Sequence, residues 1–187
     1  MKIYTIKTRK KDYTITPDEI EGYDTLEIIS KSLKNIKSEE NLSIKTLRIY
    51  CPELEEVDEK ITQSENLLEI KIKENNHARL ILESFEKLKN LNSISLSSMK
   101  LNEIPNFIKS SLLTLEVLDL SKNNISNLPS FLANASEIKR LILDHNKFNE
   151  FPFEKDDFDK LKYLSLDGIK FPEDEILRLR EEFNIII

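Results

Sequence analysis

The sequence predicts an α/β solenoid, in which a curved parallel β-sheet forms the concave face and short helices or turns form the convex face. The pattern LxxLxL, where L is any aliphatic residue and x is any residue, recurs every 23 or 24 residues. The last three positions of the pattern alternate inward and outward as a short strand does. With 187 residues, one cysteine and two glycines, the chain can bury a core as a single domain without disulfides or flexible linkers.

The repeats can be placed one by one along the chain. Five segments match the pattern closely: 67–72, 91–96, 115–120, 138–143 and 161–166. Their central apolar residues are 24, 24, 23 and 23 positions apart. Two weaker copies, at 44–49 and 23–28, precede them. We therefore expect about seven repeats between residues 21 and 171, stacked so that their strands form one parallel sheet.

The best repeats continue past the strand in a constant order. In one of them Asn123 and Ile125 are followed by Leu128, Pro129 and Leu132, which extends the pattern to LxxLxLxxNxLxxLPxxL. This pattern resembles the leucine-rich-repeat family, in the 23-residue class common in bacterial proteins. The abundance of Lys, Asn and Ile makes spirochaete repeat proteins a candidate group. The resemblance implies a right-handed solenoid that binds a protein partner on its concave face and needs no cofactor.

The same resemblance implies a structural role for the asparagines of the pattern. Three of them occupy this column: Asn75, Asn123 and Asn146. Their amides would turn inward and pair with backbone groups that the tight coil leaves without partners. The column is interrupted at three positions: Pro52, Met99 and Ile169. The coils at those positions must satisfy their backbone groups in another way.

Both ends of the solenoid need a cover, because each exposes a strand edge and part of the core. Residues 1–20 predict a β-hairpin cap, since 3–8 and 13–16 alternate apolar and polar residues around a charged segment at 9–12. Residues 172–187 predict a C-terminal cap. Within it, Ile176, Leu177, Leu179 and Phe183 have helical spacing, and 185–187 could add a final short strand.

Function has to be inferred from the side chains that the sheet displays, because the fold alone supports many partners. The outward positions predict a cationic and aromatic zone, a serine patch at 93–98 and a mixed zone. The candidate partner-binding residues are Arg48, Tyr50, Lys71, Lys73, Asp119, Arg140, Ile142, Asp144 and Tyr163. Tyr and Arg are frequent energetic anchors in protein interfaces. The alternative for any one of these residues is that it only keeps the sheet surface soluble.

The sequence offers no convincing site for catalysis or metal binding. Cys51 is four repeats from His145, roughly 19 Å at the usual strand spacing, so the two cannot form a catalytic pair. His77 is the only other histidine. Asp144 and His145 could orient a proton transfer, but they would lie on an open sheet without an oxyanion pocket. We expect neither an enzyme nor a metal or cofactor site.

Charge and hydropathy narrow the class of partner. The formal net charge is −6 and no basic block is present, which disfavours nucleic acid. No signal-peptide core and no run of 18 apolar residues is found, so we expect a monomeric cytoplasmic protein without a membrane span, although export without a signal remains compatible. Two other functions fit the same features: a structural or self-assembling protein, and a bacterial effector that binds a host protein.

Overall fold

The computed structural model describes residues 1–185, and its main element is a parallel sheet of eight strands. The strands of the described residues are β1 (Ile3–Lys7), β2 (Asp12–Ile15), β3 (Thr25–Ile29), β4 (Asn35–Ser38), β5 (Thr46–Tyr50), β6 (Glu56–Val57), β7 (Glu69–Lys73), β8 (Ser93–Ser97), β9 (Val117–Asp119), β10 (Arg140–Ile142) and β11 (Tyr163–Ser165). The main sheet has the order β1-β3-β5-β7-β8-β9-β10-β11. The predicted solenoid with a parallel sheet is confirmed.

The register of this sheet stacks the aliphatic residues of successive repeats on one another. Leu26 pairs with Leu47, and the same column continues through the central residue of each later strand. Its members are almost completely buried: Leu26, Leu47, Ile70, Ile94, Leu118, Leu141 and Leu164. Burying one such side chain contributes about 1.5–3 kcal/mol to folding. Stacking therefore builds a continuous core from the coil of β3 to the coil of β11.

The connections between the main strands are short and irregular. The helical segments of the described residues are α1 (Pro17–Ile20), α2 (Glu59–Thr62), α3 (Ala78–Glu83), α4 (Glu173–Phe183) and the 3₁₀ helices Asn106–Ser111, Ser130–Asn134 and Lys155–Phe158. Pro105 and Pro129 each stand directly before a 3₁₀ helix. Proline suits that position because its fixed φ and missing N–H do not disturb the start of a helix.

The predicted N-terminal hairpin is wrong. Strand β1 pairs in parallel with β3, and β2 pairs in parallel with β4, so β1 and β2 belong to different sheets. A second parallel sheet of order β2-β4-β6 runs along the first three coils. The alternation of apolar and polar residues that predicted a hairpin also fits two strands of one coil. A strand with one buried face has the same alternation whichever strand it pairs with. Residues 1–20 thus form a further coil of the solenoid.

The exposed end of this first coil is closed by two tyrosines and a carboxylate. The hydroxyls of Tyr4 and Tyr13 donate to Glu19 Oε1 at 3.1 Å and 2.6 Å. The Thr16 N–H donates to the other oxygen of Glu19 at 2.8 Å, which completes a capping box at α1. These hydrogen bonds, first of all the one from Tyr13, lower the pKa of Glu19 below its ordinary value of 4.5.

Acid should weaken this closure. A carboxylate whose pKa is lowered by folding adds stability at pH values above its unfolded pKa, and that contribution disappears as the pH falls through the folded value. We expect Glu19→Gln to reduce the loss of unfolding free energy between about pH 5 and about pH 3. Urea unfolding at a series of pH values measures this pH dependence of the unfolding free energy. Glu21→Gln, at an exposed neighbouring carboxylate, is the control, and an equal effect of both substitutions would contradict the role assigned to Glu19.

The predicted C-terminal helix is confirmed as α4, which closes the opposite end of the solenoid. Arg178 anchors it, because its guanidinium donates to the carbonyls of Phe151 at 2.6 Å and Phe153 at 3.2 Å. Glu175 accepts from the Phe151 N–H at 2.8 Å. The predicted final strand at 185–187 lies largely outside the described residues, which include only Ile185 of that segment.

Candidate protein-binding face

The candidate face is the side of the main sheet that turns away from the core. In β3, β5 and β7 to β11 the two aliphatic residues of the pattern are buried. The residue between them is directed outward, because successive side chains of a strand point to opposite faces. The central outward column is partly exposed in β3 to β10: Glu27, Arg48, Lys71, Ser95, Asp119 and Ile142. Ser165, the corresponding residue in β11, is buried. The candidate residues in this column are therefore available for contact.

The asparagine column fixes the coils that carry this face. Asn123 Nδ2 donates to the carbonyls of Leu96 and Leu120, both at 2.8 Å. Its Oδ1 accepts from the N–H groups of Met99 at 3.0 Å and Leu101 at 3.1 Å. The interruption at Met99 is thus compensated by the asparagine of the next coil. One side chain satisfies four backbone groups in two neighbouring coils.

The other two asparagines are buried in the same way. Asn146 Nδ2 donates to the carbonyls of Leu120 at 3.0 Å and Leu143 at 2.8 Å. Asn75 Nδ2 donates to the carbonyls of Cys51 at 2.9 Å and Leu54 at 2.8 Å. Each of the three amides donates to a carbonyl of the preceding coil. Asn123 and Asn146 also donate to a carbonyl of their own coil, and Asn75 Oδ1 accepts from the His77 N–H of its own coil at 2.8 Å. The asparagines therefore tie neighbouring coils together.

Five of the predicted binding residues lie together on β5, β7 and β9. Arg48 is directly beside Lys71 across the β5–β7 pair. Tyr50, Lys71, Lys73 and Asp119 line one shallow depression of about 360 Å³. The Asp119 carboxylate is already engaged, since Oδ2 accepts from Ser95 Oγ and Oδ1 accepts from the Ser121 N–H, both at 3.0 Å. The basic side chains are therefore the ones that this part of the face offers to a ligand.

The remaining four predicted residues lie farther along the sheet. Arg140 on β10 places its guanidinium 4.4 Å from the ring centre of Tyr163 on β11, a cation–π pair. Ile142 lies between Asp119 and Ser165 in the register. Asp144 follows β10, and its Oδ1 accepts from the Asp167 N–H at 2.9 Å, so this carboxylate stabilises a turn. The structure thus divides the predicted residues into two groups.

The main residues missed by the sequence analysis belong to the first coil and its neighbours. Lys7 and Arg9 lie beside Ile29, Lys31, Tyr50 and Lys73 at the carboxyl ends of β1, β3, β5 and β7. The predicted hairpin had removed Lys7 and Arg9 from the face. One signal could have placed them: Tyr4 and Ile6 precede Leu26 and Ile28 by 22 residues each, which is close to the repeat length.

The turn that follows each strand changes type along the solenoid. From β7 onward, the second residue after the last core aliphatic has a positive φ, as in Glu74, Lys122 and Gly168. At Glu74 and Lys122 this turn places a side chain at the carboxyl end of the strand. The corresponding residues of two earlier coils, Ser30 and Cys51, instead point inward, where Ser30 Oγ donates to the Thr8 carbonyl at 2.7 Å and Cys51 Sγ contacts the Ile28 carbonyl at 3.5 Å.

The groups that could support catalysis or metal binding are separated or occupied. Cys51 is buried, and burial raises the pKa of its thiol to about 11, so the nucleophilic thiolate is rare at neutral pH. The imidazole of His77 lies 3.7 Å from Glu53, and that of His145 lies against Gly168, where an added Cβ would be 2.2 Å from Nδ1. Within residues 1–185, no three His, Cys, Asp or Glu side chains are grouped closely enough to hold a metal ion.

None of the helices between residues 1 and 185 has both the length and the apolar character needed to cross a bilayer.

Two solved structures share this fold. A leucine-rich-repeat protein of Leptospira interrogans is 27% identical, with a TM-score of 0.54 over 75% of this chain and 32% of its own. An internalin of Listeria monocytogenes is 19% identical, with a TM-score of 0.57 over 83% of this chain and 51% of its own. No protein-family model matches the chain, and no curated protein does either. The chain therefore corresponds to about a third of the first neighbour and about half of the second.

Proposed function

Because the chain is a leucine-rich-repeat protein, we propose that it binds a protein partner along the concave face of its main sheet. The observation that carries this proposal is the group formed by Arg48, Tyr50 and Lys71 on β5 and β7. These side chains are half-buried and held by a rigid strand pair. No carboxylate of residues 1–185 lies within salt-bridge distance of Arg48 or Lys71.

Side chains of this kind are well suited to a protein interface. A strand fixes their backbone, so binding costs less conformational entropy than it would on a loop. Tyr and Arg contribute more binding energy than most residue types when a partner covers them. Eight strands at about 4.8 Å spacing give a face roughly 34 Å across, which can accommodate an interface of about 800 Å² on this chain.

The test is a substitution confined to the face. We expect the combined replacement of Arg48, Tyr50, Lys71 and Tyr163 with alanine to abolish retention of the partner in affinity capture from lysate of the source cells. Truncating such anchors commonly weakens binding by more than about tenfold each. The reason is that the partner loses both the aromatic contact area and the two unpaired cations.

A matched control replaces four exposed residues outside the sheet: Arg79, Leu80, Lys89 and Leu113. The control variant should retain the same protein as the unmodified chain. Equal retention by both variants would contradict binding through the concave face. Light scattering of the purified chain tests the alternative of self-assembly, which requires a mass that grows with concentration.

A further inference from the structure

A groove distinct from the central columns of the sheet runs along the carboxyl ends of β1, β3, β5 and β7. We call it the rim groove, and its lining consists of Lys7, Thr8, Arg9, Ile29, Ser30, Lys31, Ser32, Tyr50, Pro52, Lys73 and Glu74. Its volume is about 610 Å³. It exists because the first coil adds β1 to the main sheet, which places 7–9 beside the turns that follow β3 and β5.

The rim groove is lined mainly by basic residues, although the chain as a whole is acidic. Four of its lining residues are Lys or Arg and one is Glu, whereas the whole chain has a formal net charge of −6. No carboxylate among residues 1–185 is within salt-bridge distance of Lys7, Arg9 or Lys31. Lys73 has one neighbour, Glu74, at 3.8 Å. The three other basic side chains have no counter-charge in the described part of the chain, so the groove has a local positive potential that attracts an anionic ligand.

The positive surface extends onto the concave face. Tyr50 and Lys73 line both the rim groove and the depression on β5 to β9, which adds Lys71 and Lys122 to the same path. The path crosses six strands from β1 to β9, roughly 24 Å at the usual strand spacing. An extended peptide covers that distance with about seven residues.

The lining also has an apolar part, which distinguishes among anionic ligands. Ile29 is 37% exposed, and Tyr50 and Pro52 are partly exposed beside it. A nucleic acid contacts basic residues mainly through its regularly spaced phosphates, and the acidic remainder of this chain would repel so dense a polyanion. A membrane surface is flat and cannot follow a groove. A peptide with a few carboxylates and one large apolar side chain matches both parts of the lining.

We propose that the rim groove binds an acidic, extended segment of the partner protein. Carboxylates of that segment pair with Lys7, Arg9 and Lys31, and an aliphatic or aromatic side chain packs on Ile29 and Tyr50. This inference rests on the proposed function, since it names the chemistry of the partner that the concave face binds. It also extends the binding surface beyond the concave columns to the first coil.

The test uses a display library of random peptides about twelve residues long, which is longer than the path requires. We expect the intact chain to select peptides enriched in Asp and Glu around one large apolar residue. The triple variant Lys7→Glu, Arg9→Glu, Lys31→Glu should bind the selected peptide about tenfold or more weakly in fluorescence anisotropy. Replacing the acidic residues of the peptide with their amides should cause a similar loss, and added salt should weaken the original pair.

A control variant carries the same change of charge elsewhere: Lys89→Glu, Lys147→Glu, Lys170→Glu, all at exposed positions. It should bind the selected peptide as the unmodified chain does. An equal loss in both triple variants would overturn the inference, because the attraction would then depend only on overall charge. Circular dichroism of each variant verifies that the fold is retained.

The same measurements separate this inference from the proposed function. One outcome would overturn the inference and leave concave-face binding supported. In it, the selected peptides have no acidic enrichment, and their binding is lost when Arg48, Tyr50, Lys71 and Tyr163 are replaced. The triple variant of Lys7, Arg9 and Lys31, called the rim variant, still binds them. Binding of polyuridylate RNA or phosphatidylserine vesicles in place of peptides, abolished by the rim variant, would overturn it in favour of another anion. Failure to select any peptide would overturn it, and the capture experiment would then decide the proposed function alone.

Discussion

Replacing Asn123 with alanine should lower the free energy of unfolding by about 3 kcal/mol, because four backbone groups lose their partner at once. The side chain is 6% exposed, and the two carbonyls and two N–H groups that it bonds belong to neighbouring coils. A buried backbone group left without a partner costs about 1–3 kcal/mol, and water entering the cavity would recover part of that cost. Urea unfolding monitored by circular dichroism measures the change.

Two further substitutions establish which atoms matter. Asn123→Asp conserves the shape but replaces the amide donor by an oxygen that faces the carbonyls of Leu96 and Leu120, so it should destabilise the protein at neutral pH as well. Asn127→Ala, at an exposed position of the same coil, should change stability by less than about 0.5 kcal/mol. A loss below about 1 kcal/mol for Asn123→Ala would show that the column does not hold the coils together.

The second large effect is expected at the C-terminal end, where Phe151→Ala should cost about 3–5 kcal/mol. Phe151 is completely buried, and its ring contacts those of Phe153 and Phe183 at centroid distances of 5.2 Å and 5.4 Å. Because Phe183 lies in α4, removing the Phe151 ring leaves a cavity beneath the helix that covers the end of the core. Thermal or urea unfolding gives the magnitude.

Hydrogen exchange locates that effect in the structure. We expect the amides of α4 to exchange faster in Phe151→Ala, because the helix loses part of the surface against which it packs. Leu177→Ala is the control on the same helix, since Leu177 is 53% exposed and its truncation should have little effect. If Phe151→Ala destabilised the protein without altering exchange in α4, the helix would not be the element that depends on this ring.

Much of the core could be predicted because its physical cause is periodic. Aliphatic residues recur at every second position of each strand, and the strands recur at one interval. Such a pattern buries its aliphatic residues when equivalent positions of successive repeats stack. Leu118 and Leu141 were assigned inward on that basis and are buried. The role of the asparagine column was implied by the resemblance to the leucine-rich-repeat family, and its physical reason is that a buried polar side chain needs hydrogen-bond partners. The C-terminal helix was evident from the spacing of Leu179 and Phe183.

The partner of the first strand could not be predicted from the same pattern. Alternation specifies which face of β1 is buried, but it carries no information about whether the neighbour is parallel or antiparallel. The turn type at the rim could not be predicted from the sequence either. Glu74 and Lys122 adopt a positive φ although neither is a residue type that favours it. These turns are held by the pairing of the flanking coils.

The repeat, the inward residues and the outward columns follow from the order of residue types alone, because each of these depends on spacing along the chain. The placement of β1 and β2 in two different sheets is evident only from the fold, since pairing depends on which strand edges meet. The pairing of β1 with β3 forms the rim groove. Lys7, Lys31 and Lys73 are 24 and 42 residues apart in sequence, and parallel pairing across coils makes them neighbours. Local pattern therefore defines the face, and long-range pairing defines which charges meet on it.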